Sequence, residues 1–161
     1  MVWAVNGTQT ATGSPTTYTI SGMEKTTFVQ ILNNDFIDPI TIPQWQMGDG
    51  GIETGEVYTW RRSYNGNTDG ISVNQTEMDL IGNSECDNFF AMAYMINISA
   101  EEKLLLHSSM NHNNNGAGNA PFRAEIVFKI VFTGQVDEIK MTNSNTDTYD
   151  ANSNISVLGT D

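Results

Sequence analysis

Hydrophobic and polar residues alternate with a period of two along most of the chain. The longest such run is Asn88-Phe-Phe-Ala-Met-Ala-Tyr-Met-Ile-Asn-Ile98. Successive side chains of a strand point to opposite faces, so this run predicts a long central strand. Phe90, Met92, Tyr94, Ile96 and Ile98 share one parity and are expected to face the core. Phe89, Ala91, Ala93, Met95 and Asn97 share the other, a smaller and mixed set suited to a second packed layer or a subunit contact. Gly, Pro and charged residues are absent from 89–98, which favours a strand with neighbours on both sides.

The same period recurs on either side. Tyr18 and Ile20 alternate with Thr, and 26–36 places Phe28, Gln30 and Leu32 opposite Val29 and Ile31, with Asn33-Asn34-Asp35 read as a turn. Pro39 and Pro43 confine Ile40 to Ile42 to a short or edge strand, and the glycines of 47–55 predict a loop. Tyr58 and Trp60 alternate with Val57 and Thr59 before Asn65-Gly66-Asn67, a hairpin signal. Ile71 and Val73, then Met78 and Leu80, suggest two shorter strands. Further strands are expected over 104–110, 123–132, 136–142 and 154–158, with a polar turn at 99–103 and an Asn/Gly-rich loop at 111–121. In 123–132, Ile126, Phe128, Ile130 and Phe132 oppose Val127, Lys129 and Val131. About eight to ten strands at roughly ten-residue spacing form an all-β sandwich or barrel, and no helix of ten residues is expected.

Length and charge narrow the function. A chain of 161 residues suits one domain, with 1–15 as an N-terminal arm or edge strand and 16–161 as a single sandwich. The single cysteine, Cys86, has no partner in the chain, and Asp87 beside it does nothing to activate a thiol. Charged residues make up only 16%, so polarity comes from Asn, Thr, Ser and Gly, as in many extracellular and virion β proteins. A formal charge of −12 disfavours nucleic acid and anionic membranes, whose recognition needs clustered Lys and Arg. The N-terminus lacks a signal-peptide pattern, and no run is apolar enough to span a membrane, so if the protein works outside a cell it is expected to leave by another route, such as lysis.

Four pieces of the second half carry a resemblance: Phe90-Ala-Met-Ala-Tyr-Met-Ile-Asn-Ile98 with Glu101-Glu-Lys103, Asn115-Gly-Ala-Gly-Asn-Ala-Pro121, Arg123-Ala-Glu-Ile-Val-Phe-Lys129 and Tyr149-Asp-Ala-Asn-Ser-Asn-Ile-Ser-Val-Leu-Gly159. Together they resemble jelly-roll-like structural proteins of tailed phages, particularly marine ones, over about residues 55–161. The chain departs from that group at 128–132, where the group more often has a Gly and a Lys-Trp step followed by Asn-Thr. The resemblance implies an antiparallel jelly-roll-like sandwich and a non-enzymatic virion component, a capsid decoration or a head or tail appendage. Its expected partners are further copies of itself and other virion proteins such as the major capsid protein.

No residue pattern points to catalysis or to a cofactor. His107 and His112 lack metal or triad spacing, and His107 is read as a solvated strand position. Acidic side chains are many, but none stand out as the fixed pair a glycosidase needs. Asp147, Asp150 and Asn152 in one loop, and Asp35 and Asp38 in another, are calcium candidates without EF-hand spacing. Asn6, Asn74, Asn97 and Asn154 begin Asn-x-Ser/Thr sequons. Trp3, Trp45, Trp60 and Tyr58 are expected in core or interface, and Phe89, Met95, Val127, Val131 and Trp3 are the interface candidates. The alternative function is a carbohydrate- or receptor-binding module that meets a surface glycan through loops 44–55, 63–70 and 111–120.

Overall fold

Tyr58 ties the two layers of the protein together. Its buried hydroxyl accepts from the backbone N–H of Met47 at 2.8 Å and lies 3.0 Å and 3.1 Å from the Met47 and Glu53 carbonyls, to which it donates. Tyr58 and Met47 belong to different sheets of a computed structural model that describes residues 2–36, 41–81, 87–112 and 116–161. Tyr58→Phe is expected to cost about 1–3 kcal/mol, because it leaves a buried N–H without its acceptor. The check is a lower denaturant midpoint at unchanged slope.

Twelve strands are present, and no helix occurs among the described residues. They are β1 (Ala4–Thr10), β2 (Tyr18–Ile20), β3 (Phe28–Phe36), β4 (Pro43–Gly48), β5 (Tyr58–Tyr64) and β6 (Gly70–Gln75), followed by β7 (Met78–Asp79), β8 (Asn88–Ile96), β9 (Lys103–His112), β10 (Phe122–Ile130), β11 (Glu138–Asn143) and β12 (Asn154–Thr160). One sheet has the order β1-β12-β3-β8-β9-β10-β5-β6 and the other β2-β11-β4-β7. All pairings are antiparallel. Without β5–β6 and β9–β10, the remaining strands read β1-β12-β3-β8 facing β2-β11-β4-β7. That is the strand order of a jelly roll, so the expected fold class holds, with two hairpins widening one sheet.

The widened sheet is broader than its partner. The segment after β7 covers part of the excess, since Leu80 and Ile81 are fully buried. Ser109 Oγ donates to the Leu80 carbonyl at 2.8 Å and Arg62 to that of Ile81 at 2.8 Å. At the tip of β5, Asn65 and Gly66 adopt φ of 50° and 76°, the left-handed pair that the hairpin signal requires.

Three local expectations are corrected. Asn33-Asn34-Asp35 is no turn but the interior of β3. Asn33 and Asp35 point inward, where Tyr18 donates to Asp35 and Asn33 Nδ2 donates to Asp35 at 2.6 Å. These contacts satisfy side chains that would otherwise favour a turn. The strand β4 falls where only proline and glycine punctuation had been noted, and its Pro43 sits at the strand's first residue, where a missing N–H is tolerated. Its Trp45 and Met47 are fully buried.

The third correction concerns β8, whose parity is opposite to expectation. Phe89, Ala91, Ala93 and Met95 face the core at 0–2% exposure, and Phe90, Met92, Tyr94 and Ile96 face outward at 36–45%. The reason lies across the sandwich. Bulky Trp45, Met47 and Met141 from the small sheet belong to the same core cluster, to which β8 adds Phe89, Met95 and two small alanines.

Candidate functional site: the outer face of the large sheet

Antiparallel pairing lines up the outward residues of neighbouring strands. Tyr94 lies opposite Leu106, Leu106 opposite Val127, and Ile96 opposite Leu104. Toward the other end Phe90 lies opposite Met110. On β3, Gln30 is opposite Tyr94 and donates to its hydroxyl at 3.1 Å. Leu104 and Leu106 are 56% and 63% exposed, so an apolar surface crosses β8, β9 and β10. Such a surface is unusual on a protein with no partner, whose exposed apolar residues are normally scattered.

Two shallow grooves of about 400 Å³ and 410 Å³ flank the central row, and Tyr94, Leu106 and Val127 line both. Trp3, Phe28, Ile96 and Leu104 border one; Arg61, Asp69, Met92 and Glu125 border the other. The rim is charged in pairs. Arg61 lies 3.4 Å from Asp69, Arg123 3.8 Å from Glu125 and Lys129 3.3 Å from Glu102. Each pair is solvent-exposed and contributes little to stability.

Of the interface candidates, Val127, Val131 and Trp3 are exposed at 46%, 44% and 39%. Phe89 and Met95 are core residues and cannot serve as contacts, a direct consequence of the reversed parity of β8. Exposed on this face but absent from those candidates are Phe90, Met92, Tyr94, Ile96, Leu104 and Leu106. The signal that could have found them is the neighbouring strand: with Lys103, Leu105 and His107 inward, β9 turns Leu104, Leu106 and Met110 outward, with Ser108 between the last two.

His107 is also corrected. It is buried, edge-on to Trp45 and Phe128 at ring-centroid distances of 5.5 Å and 5.7 Å. Neither ring nitrogen has a hydrogen-bond partner among the described residues. Burial lowers its pKa from 6.5 to about 3, so it stays neutral in the fold. The reading as a solvated position assumed that Leu104 and Leu106 pointed inward.

The other candidates are dispersed. Asp147, Asp150 and Asn152 lie between β11 and β12, where the Asp147 and Asn152 carbonyls accept from Asn143 and Asn154 at 2.8 Å and 3.1 Å. Asp35 is buried against Tyr18, and Asp38 and Cys86 fall outside the described residues. No group of three or more His, Cys, Asp and Glu able to hold a metal ion occurs among the described residues. Trp45, Trp60 and Tyr58 are buried in the core, so they form no open sugar platform. Tyr64 instead stacks on Phe122 at 5.6 Å. The Asn97 sequon is inaccessible in the fold, because its amide is buried and donates to the Thr26 and Val136 carbonyls at 3.0 Å and 3.2 Å.

Among the described residues, no helix is long and apolar enough to cross a membrane. No protein-family model matches the chain, and no curated protein is significantly similar to it.

Proposed function

We propose that this chain is a non-enzymatic virion structural protein, a capsid decoration or a head or tail appendage that works as part of an oligomer. One observation carries the reading. On the large sheet β8 is apolar on both sides, β9 adds outward Leu104, Leu106 and Met110, and among the described residues only the inner side of the sheet is covered. An antiparallel sheet with one packed face normally alternates apolar-in and polar-out. Two apolar faces point to a second layer supplied from outside. The likeness of residues 55–161 to jelly-roll proteins of tailed phages supports placing that layer on a particle, and the Asn/Thr/Ser/Gly-rich surface suits extracellular exposure.

The test is quantitative mass spectrometry of particles purified from the phage whose genome encodes the chain, with imaging to place it. The expected result is many copies per particle, at symmetric positions on the head or tail. Complete absence from washed particles would reject the reading.

A further inference from the structure

We infer that the outer face of the large sheet is covered by a second copy of this same chain, two molecules packing sheet against sheet about a two-fold axis near the Tyr94–Leu106–Val127 row. This rests on the assembly reading above and deepens it by naming the occupant. The first argument is area. Side chains exposed by 36–63% cover the face. Taking roughly 200 Å² for each large side chain, they expose on the order of 800–1,000 Å² per copy. A standard stable interface takes about 800 Å² from each partner, and the largest apolar patch of a monomer is usually only about 300–600 Å².

The second argument is charge. Three of the seven Lys and Arg residues border this face, and each is already paired with an acid of the same chain. The patch and its rim therefore carry no net charge, and the −12 is spread over the rest of the surface. Two copies approaching through other faces set acidic surface against acidic surface, whereas here the contact itself is neutral and only the longer-range repulsion between the two acidic bodies remains. A strongly cationic or anionic partner would find no field to recognise on this face. A two-fold contact also sets apolar row against apolar row and offers each rim cation a second acid from the partner.

Sedimentation velocity on the full chain, from about 1 to about 200 μM, brackets a micromolar Kd. The expected result is a monomer–dimer equilibrium that tightens as salt rises from about 0.05 to about 0.5 M, because salt screens the repulsion between acidic bodies. Leu106→Asp, at an outward position, is expected to weaken the dimer by about 30-fold or more. Thr19→Asp, exposed on β2 of the other sheet, should leave the dimer affinity unchanged. A wild-type chain that stays monomeric at both salts overturns the inference. So does an equal loss in both variants, and so does a trimer or larger ring. Particles that carry the chain while the free chain stays monomeric would remove this inference and keep the virion reading. A dimer lost in Leu106→Asp, with the chain missing from particles, would do the reverse.

Discussion

Phe89→Ala is expected to lower the unfolding free energy by about 3–5 kcal/mol, whereas Phe90→Ala, one residue further, changes it by less than about 1 kcal/mol in the dilute chain. The two side chains are identical and adjacent, and only their direction differs. Phe89 is 1% exposed and sits in the closed core between the sheets, so its removal leaves a cavity that packed neighbours fill poorly. Phe90 is 42% exposed on the outer face, outside the closed core. Urea unfolding of both variants at low protein concentration decides the matter. Equal losses, or a larger loss at Phe90, would mean that β8 is turned the other way.

The second large effect is a change in how stability depends on pH. Asp35 is fully buried, and burial pushes its carboxyl up to about 7 against the opposing hydrogen bonds from Tyr18 and Asn33. A carboxyl held above its unfolded value of 3.8 adds stability that is complete below 3.8 and lost as pH rises through about 7. His107 works in the opposite sense. With its pKa lowered from 6.5 to about 3, its contribution is complete above 6.5 and lost as pH falls toward about 3. Each shift corresponds to a few kcal/mol, to order of magnitude. The two slopes oppose each other between about pH 4 and 6.5, so this pair leaves the wild-type profile nearly flat there.

Single variants separate the two. Asp35→Asn removes the alkaline loss and leaves the histidine slope, so stability should rise with pH to about 6.5 and then hold. His107→Leu leaves the aspartate slope, so stability should fall from about pH 4 to about pH 7. The same variant should gain about 1–3 kcal/mol overall, because two buried nitrogens without partners are removed. Thermal or urea unfolding from pH 4 to 9 is the check. Variant profiles running parallel to wild type would show that neither group titrates in the fold as its burial requires.

Much of the fold was legible in the chain because antiparallel strands advertise themselves by parity. The hairpin at Asn65-Gly66, the two-faced strand β10 and the closing strand β12 all follow from local signals. The face assignment of β8 was not legible, since both parities are apolar. Size suggested Phe90 and Tyr94 for the core, but core volume is set jointly with the opposing sheet, and Trp45 lies far away in sequence. His107 inherited the same error from its neighbours on β9. Asn33 and Asp35 look like turn residues until Tyr18, on another strand, satisfies them. The apolar outer face depends on the pairing of β8, β9 and β10, and a sequence read strand by strand does not contain that register.

Methionine oxidation followed by peptide mass spectrometry tests the account most directly, because the residue type reports on both sides of the large sheet. Met92 and Met110 are 36% and 54% exposed on the outer face, whereas Met23, Met47, Met78, Met95 and Met141 are 0–5% exposed in the core. Peroxide reaches accessible thioethers first. In dilute protein Met92 and Met110 should oxidise rapidly while Met95 stays reduced, and both should become protected as the chain is concentrated. Faster oxidation of Met95 than of Met92, or full reactivity of Met92 and Met110 in concentrated protein, would contradict it.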